Sequence, residues 1–192
     1  MSAYAESKHK AEALLKDIAY PWTIVRPPAV YGPGDKEVLK LFRAMKRGIA
    51  PVAGEDTNTF SLIHGQDLAN AILATVGHEK AHGKIIEPDD KKKGGYTIHE
   101  VADVAENIFG KDVKPLEIPN GLLHTAALFN ELAAKLVQRA PIFSRGKARE
   151  MAHPDWVCDT ATHAHILHWK PAYTLDKGVR ETIAWYEARE LL

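Results

Sequence analysis

The sequence of 192 residues holds a single cysteine, Cys158, and no apolar run long enough to cross a lipid bilayer. One cysteine excludes an internal disulfide framework and suits a reducing compartment. A membrane-spanning helix needs about 20 mostly apolar residues, so no membrane partner is expected. The first residues are polar and lack the apolar region of a signal peptide. These absences predict a cytoplasmic protein.

An excess of charge of either sign is also missing, because 25 Lys and Arg balance 25 Asp and Glu. A balanced chain gives no electrostatic reason to expect a nucleic-acid partner. Hydrophobic residues make up 45% of the chain and charged residues 26%, which is ordinary for a globular protein with its own core.

The sequence contains no Gly-x-Gly-x-x-Gly motif, the loop that binds a dinucleotide pyrophosphate at a helix N-terminus. Gly32 and Gly34 lack its spacing, as do Gly94 and Gly95. We therefore expect that any dinucleotide phosphate site lies outside these residues.

The first eighteen residues are rich in Ala, Glu, Lys and Leu, and Pro21 is the first helix breaker. This composition predicts a helix, on which Tyr4 and Lys8 share one face. An ammonium group within about 4–6 Å of a phenol favours the phenolate and lowers its pKa from about 10. Tyr4 is therefore a candidate general acid/base, although such pairs also occur by chance on solvated helices.

A short apolar strand is predicted from Trp22 to Val25, followed by a Pro- and Gly-rich loop from Pro27 to Gly34. Tyr-x-x-x-Lys on a helix, then a strand ending in Arg-Pro-x-x-Val-Tyr-Gly-Pro-Gly-Asp, resembles the extended short-chain dehydrogenase/reductase family of the NAD-dependent epimerase/dehydratase type. The segment from Phe60 to Leu73 also resembles a sequence of that family. The resemblance implies that this chain is the C-terminal part of a longer enzyme and is inactive alone.

For the fold, the resemblance implies an α/β chain: the C-terminal portion of a Rossmann-like, doubly wound sheet with a small α/β substrate-binding lid. Residues 1–80 are expected to belong mainly to the NAD(P)-binding domain and residues 81–192 mainly to the lid, with segments interleaved. A homodimer is expected through the helix of Tyr4 and Lys8.

For the chemistry, the resemblance implies NAD or NADP as cofactor, with hydride transfer at a hydroxyl or ketone carbon. Tyr4 would be the acid/base, and Lys8 its electrostatic partner and a ligand of the cofactor ribose. The backbone of Pro27, Pro28 and Val30 would line the nicotinamide.

The substrate is a small molecule whose class is less defined. Members of the family that act on nucleotide sugars usually carry Asn in the loop that holds Ala29 here, a candidate substrate contact. Its absence favours a reductase of a small or steroid-like ketone or alcohol over a nucleotide-sugar epimerase or dehydratase. A non-catalytic binding or assembly module is a third possibility. Arg145 and Arg149 are candidates to hold an anionic substrate group, or they form a solvated basic face.

Three histidines near the C-terminus, His163, His165 and His168, do not predict a metal site. On a helix His163 and His165 point to different faces, and no Cys or carboxylate at suitable spacing completes a metal coordination shell. His64 and Asp67 are not predicted to form a catalytic dyad. Asp67 is instead expected to cap the helix that follows it.

Further elements follow from periodicity and from cap residues. We predict helices from Lys36 to Gly48, from Thr97 to Gly110 with a capping box, from Gly121 to Ala140 and from Leu175 to Leu192. Strands are predicted from Gly83 to Glu87 and, at a sheet edge, from Val113 to Ile118.

Overall fold

The computed structural model describes residues 3–136, 144–159 and 166–192. In chain order, its elements are α1 (Ala3–Leu15), β1 (Thr23–Val25), β2 (Ala29–Tyr31), α2 (Lys36–Lys46), β3 (Ile49–Ala53), β4 (Thr59–Phe60), β5 (Leu62–His64), α3 (Gly65–Thr75), β6 (Lys84–Ile86), α4 (Ile98–Phe109), β7 (Lys114–Ile118), α5 (Asn120–Leu136), α6 (Arg145–Met151), β8 (Asp155–Trp156) and α7 (Leu175–Glu187).

The strands form four parallel pairs, β1 with β6, β2 with β5, β3 with β7 and β4 with β8. A parallel pair requires a crossover connection, which here always contains at least one helix. The α/β fold class predicted from the sequence is confirmed. Three of the four pairs join a strand before residue 80 to one after it.

The segment from Pro27 to Gly34 is not wholly a loop, and the sequence-based prediction was wrong there. Ala29–Tyr31 forms β2, with Ala29 opposite Leu62 and Tyr31 opposite His64 of β5. Strand β3 was not predicted either, and its first residue, Ile49, lies opposite Lys114. Both strands are defined by partners that are distant in sequence, and local composition does not show such partners.

The main hydrophobic core lies among α2, α4 and α7. Apolar side chains recur at helical spacing on each of these helices and are buried against one another. The residues that the three helices contribute to this core are Leu39, Phe42 and Met45 of α2, Ile98, Val101, Ala102 and Ala105 of α4, and Leu175, Val179, Ile183 and Tyr186 of α7.

Both ends of helix α4 follow the predicted capping chemistry. Helix α4 begins with the capping box of Thr97 and Glu100, and Gly110 ends it in the left-handed conformation at φ 62°. Helix α2 is capped by Asp35, whose carboxylate accepts bonds from two backbone N–H groups. These caps explain why both helices form at the predicted positions.

The predicted capping role of Asp67 was wrong. His64 is the N-cap of α3, since its Nδ1 accepts a bond from the N–H of Gln66. Asp67 is buried and accepts bonds from the N–H groups of Ala172 and Tyr173, at 2.9–3.0 Å. It therefore fixes the segment before α7 against α3.

Helix α1 packs loosely against the rest of the chain. Most of its residues are exposed, including Tyr4 and Leu14. Arg26 links the helix to β1 through an ion pair with Glu12, in which the Nη2 and Oε2 atoms lie 2.5 Å apart. Helix α1 is thus a surface element of the described chain.

Candidate active site

Tyr4 and Lys8 lie one turn apart on α1. The Lys8 Nζ atom is 5.5 Å from the centroid of the Tyr4 ring, within the range of a cation–π contact. The Tyr4 side chain is 70% exposed, so its hydroxyl is open to an incoming molecule. The predicted shared face of the helix therefore exists.

Tyr4 borders a cavity with a volume of about 550 Å³, larger than an apolar cavity of about 150 Å³ in the main core. Pro27, Pro28 and Ala29 line the larger cavity beside the tyrosine. The remaining walls come from β3 and β4, from the start of α4 and from α6 with the turn after it: Pro51, Val52, Ala53, Asn58, Thr59, Phe60, Ser61, Ile98, Lys147, Glu150, Met151, His153 and Trp156. A cavity of this size holds a small organic ligand.

Charged groups enter the larger cavity from one side only. Lys147 and Glu150 lie three residues apart on α6, and His153 follows three residues later. Helical spacing puts Lys147 and Glu150 on one face. Arg145 and Arg149 of this segment were predicted to contact substrate and Lys147 was not, because the residue that faces the cavity depends on how α6 packs on α5.

A buried polar network supports the floor of the larger cavity at Ser61. The Ser61 hydroxyl donates to the Asp89 carboxylate over 2.9 Å and accepts a bond from the N–H of Cys158 over 3.1 Å. Burial, with a contribution from the charge of Asp89, raises the pKa of the Cys158 thiol to about 12. Cys158 is therefore a neutral structural thiol at neutral pH and not a nucleophile.

The neighbouring Asp90 accepts a hydrogen bond from the Tyr96 hydroxyl over 2.6 Å. Burial raises the pKa of both groups. Tyr96 is buried in the main core, so the pair joins the loop before α4 to that core.

Comparison with known proteins identifies the family of the part of the chain that carries Tyr4. Residues 1–87 match the model of the NAD dependent epimerase/dehydratase family. This part of the chain belongs to that family.

Similarity to curated relatives extends over almost the whole length of the chain. It is 32% identical over 189 residues to ceramide reductase of Caulobacter vibrioides, a match that covers 98% of this chain and 58% of the relative. It is 28% identical over 185 residues to UDP-glucose 4-epimerase of Vibrio cholerae, covering 93% and 52%. The chain thus spans little more than half the length of these relatives.

Solved structures show the same fold. Pal from Bacillus thuringiensis superimposes with a TM-score of 0.67 at 22% identity, over 98% of this chain and 54% of that one. The dTDP-glucose 4,6-dehydratase from Bacillus anthracis, solved with NAD, gives 0.68 at 21% identity, over 99% and 53%. The chain therefore has the Rossmann-like fold of these structures and corresponds to about half of their length.

Three other residues that the sequence singled out lie away from the larger cavity. Val30 lines the separate apolar cavity of about 150 Å³ in the main core. Arg145 is held by Glu131 of α5, with Nε and Oε2 3.0 Å apart. Arg149 is exposed on α6 and is not among the residues that line the larger cavity.

Of the three histidines that were not predicted to bind a metal ion, only one belongs to the residues that the structure describes. His163 and His165 lie outside the described residues, whereas His168 lies within them. Across residues 3–136, 144–159 and 166–192, no group of three or more His, Cys, Asp or Glu is arranged to hold a metal ion.

Proposed function

We propose that this chain supplies the acid/base tyrosine and the substrate-facing wall of an NAD(P)-dependent oxidoreductase that acts at a ketone or alcohol carbon. The observation that carries the proposal is one cavity that Tyr4, Pro27, Pro28 and Ala29 line together with the lid helix α6. Family membership of residues 1–87 supports the cofactor class, and the similarity to a reductase supports the reaction class.

Each residue has a chemical role in this proposal. The Tyr4 hydroxyl gives a proton to the substrate oxygen during reduction and takes it back during oxidation. The Lys8 ammonium lies close to the Tyr4 ring and binds the ribose hydroxyls of the cofactor. Pro27 and Pro28 offer backbone carbonyl groups to the nicotinamide, whereas Val30, the third residue predicted there, lines the separate core cavity. The bound cofactor supplies or accepts the hydride.

The residues present fit the nicotinamide end of the cofactor better than its phosphates. The sequence has no glycine-rich loop of the required spacing, and such a loop provides the backbone N–H groups that bind pyrophosphate. We propose that this function requires a further segment, and that the chain alone binds NAD and NADP weakly and is inactive. Calorimetric titration tests this, and submicromolar binding by the chain alone would contradict it.

The larger cavity favours a largely apolar, uncharged substrate. Its walls are mostly apolar, and Lys147 is the one Lys or Arg that lines it within the described chain. Proteins bind diphosphate groups with several cationic or bidentate donors, so this wall suits a nucleotide sugar poorly. The relative named ceramide reductase supports the same choice. The similarity to UDP-glucose 4-epimerase keeps a nucleotide-sugar epimerase or dehydratase as the alternative.

Substitution of Tyr4 tests the catalytic role in a protein that also carries the cofactor-phosphate segment. Tyr4→Phe removes the proton donor and should lower kcat by about 10²–10⁴-fold, with cofactor affinity nearly unchanged. Lys8→Ala should weaken both turnover and cofactor binding. Tyr20→Phe and Lys16→Ala are matched controls, because these residues are also exposed but do not line the larger cavity.

The same assay separates the alternatives when it uses a panel of apolar ketones, alcohols and nucleotide sugars. Turnover of nucleotide sugars alone would support the epimerase or dehydratase alternative. Full turnover by Tyr4→Phe would contradict the assigned role. Cofactor binding without turnover of any substrate would support a binding or assembly module.

Association through α1 is part of the proposal. The face of α1 away from Tyr4 and Lys8 carries Ala13 and the exposed Leu14, which offer a contact for a second copy. Light scattering over a dilution series should show a dimer or larger species. A monodisperse monomer at high concentration would exclude this interface.

A further inference from the structure

The core cavity, the apolar cavity of about 150 Å³ in the main core, has walls that almost no polar atom reaches. Its lining comes from strands β2, β4 and β5 and from helices α2, α4 and α7. The one polar side chain among the lining residues is Tyr31, whose hydroxyl packs so closely on α7 that a Cβ at Gly178 would collide with it. An apolar cavity of about this size stays dry and can bind benzene.

The core cavity adjoins the larger cavity that Tyr4 lines. Ala29, Phe60 and Ile98 line both cavities and form their common wall. The backbone of Phe60 is fixed by two hydrogen bonds with Tyr96, of 2.9 and 2.8 Å, whereas its ring is only partly buried. All three side chains of the wall are apolar, so no side-chain hydrogen bond has to break when the Phe60 ring changes its rotamer.

The common wall begins close to the position of the proposed chemistry. Ala29 directly follows Pro28, which lines the larger cavity together with Pro27 and Tyr4. Neighbouring Cα atoms are about 3.8 Å apart. A group attached directly to a reacting carbon between Tyr4 and the two prolines is therefore near enough to reach this wall.

The composition of the walls restricts the group that the core cavity can hold. No charged side chain lines it within the described residues, so it offers nothing to an anionic or cationic group. Protein interiors are close-packed, and a cavity of this size lowers stability. Such departures from ideal packing are expected at functional sites, and the core cavity shares three of its residues with the candidate active site.

We propose that the core cavity takes up one apolar substituent of the substrate, a phenyl group or an alkyl group of up to about six carbons. The substituent enters from the larger cavity between Phe60 and Ile98. This inference rests on the proposed function, because it attaches the substituent to the ketone or alcohol carbon that faces Tyr4. The substrate then has two unequal substituents, and the bulkier one stays in the larger cavity, which also contains Lys147 and Glu150.

Binding of fluorobenzene to the whole chain tests the core cavity without cofactor or turnover. Fluorine NMR measures the affinity, and proton NMR detects contacts between the bound ring and nearby methyl groups. Contacts are expected with Leu62 and Val179, which line the core cavity but not the larger one. Contacts with Val52 alone, a residue of the larger cavity, would overturn the inference, as would the absence of binding.

A pair of matched variants tests the same site. Val38→Phe places a larger side chain at the core cavity and should weaken fluorobenzene binding at least tenfold. Val104→Phe is the control, because Val104 is also partly buried against the main core but lines neither cavity. Circular dichroism verifies folding, and Leu41→Phe, at another partly buried lining residue, replaces Val38→Phe if that variant does not fold. Equal binding by the filled variant and the unmodified chain overturns the inference, as does an equal loss in the control.

Turnover tests the assignment of the substituent in a protein that also carries the cofactor-phosphate segment. The substrates are ketones in which one substituent is constant and the other is lengthened from methyl to octyl. Each methylene that enters the core cavity should raise kcat/KM about fourfold, and the rise should stop at about six carbons. In Val38→Phe the rise should stop about four carbons earlier, which is the difference in size between the two side chains. The series in Val104→Phe should match that of the unmodified protein.

The two tests separate this inference from the proposed function. Fluorobenzene in the core cavity without turnover of any ketone or alcohol would support an apolar site there and contradict the proposed reaction. Turnover of ketones with no dependence on the length of the substituent would support the reaction and overturn the inference.

Discussion

Two regions of the molecule differ in how fully they bury their apolar side chains. In the core region, formed by α2, α4 and α7, Phe42 is 2% exposed and Ile183 1%. In the open region, formed by α1, β1 and α3, Leu14 is 71% exposed and Leu73 68%. Apolar side chains of similar size are thus buried in one region and left in water in the other.

The difference distinguishes a region whose apolar side chains are buried against one another from a region that carries the candidate catalytic residues. The core region closes on its own residues, because three amphipathic helices bury one another's apolar faces. The open region carries Tyr4 and Lys8, and β1 pairs with β6 alone among the described strands. An open strand edge and exposed apolar helix faces are surfaces on which further structure can pack. We therefore expect stability to come from the core region and reactivity from the open region.

The test with the largest expected effect compares two substitutions that each shorten one apolar side chain. Phe42→Ala removes a buried ring and should lower the free energy of unfolding by about 3–5 kcal/mol. Leu14→Ala removes an exposed side chain and should change it by no more than about 0.5 kcal/mol. Urea unfolding followed by circular dichroism measures both. Similar losses in the two variants would show that α1 is buried in solution, for example in a dimer.

A second test concerns the link that ties α3 of the open region to the segment leading into α7 of the core region. Asp67→Asn preserves the shape of the side chain but turns one acceptor towards the N–H groups of Ala172 and Tyr173 into a donor. We expect a loss of about 1–3 kcal/mol in the free energy of unfolding. Asp103→Asn on the exposed side of α4 is the control and should change little. A neutral Asp67→Asn would show that this link does not hold the regions together.

Asp67 also shows what the sequence could not predict. Its partners are more than a hundred residues away, so local pattern suggested a cap, whereas His64 fills that position. Strands β2 and β3 were missed for the same reason. In contrast, the Thr97 capping box and the Gly110 helix end depend on neighbours within one turn, and both were predicted correctly.

The residues of the candidate site likewise divide into those that local spacing could place and those that depend on tertiary packing. Tyr4 and Lys8 depend on the spacing of one helix, so the sequence was enough to place them on one face. Lys147 and Glu150 face the larger cavity only because α6 packs on α5 in a particular rotation. No motif in the sequence marks that rotation, and resemblance directed attention to Arg145 and Arg149 instead.

The third test is the pH dependence of stability. His64 is buried between the rings of Tyr31 and Tyr173, and burial lowers its pKa below the ordinary value of 6.5. The unfolded chain therefore binds a proton at a higher pH than the folded chain does. The contribution of neutral His64 to stability is present above about pH 6.5 and is lost as pH falls through the lowered folded pKa.

Urea midpoints measured between about pH 5 and 7.5 should fall towards the acid side more steeply in the unmodified chain than in His64→Gln. The lowered pKa of Glu12 and Glu100 affects stability only at more acidic pH. Parallel curves for the two proteins would show that His64 does not titrate on unfolding. The histidine would then belong with the exposed groups of the open region and not with the buried ones.

The smallest expected effect on global stability concerns Arg26, which links α1 to β1. Its guanidinium forms a bidentate contact with Glu12, and this hydrogen bond lowers the pKa of the Glu12 carboxyl. Both groups are partly exposed, so Arg26→Gln should cost only about 0.2–1 kcal/mol of global stability.

The local effect should be larger, because α1 buries little apolar surface that could hold it in place. Hydrogen exchange of the α1 amides should accelerate in Arg26→Gln, while the amides of α4 and α7 keep their protection. Lys40→Gln is the control, since its contact with Glu37 lies within α2 alone. Unchanged exchange in α1 would mean that contacts other than this ion pair hold Tyr4 beside the larger cavity.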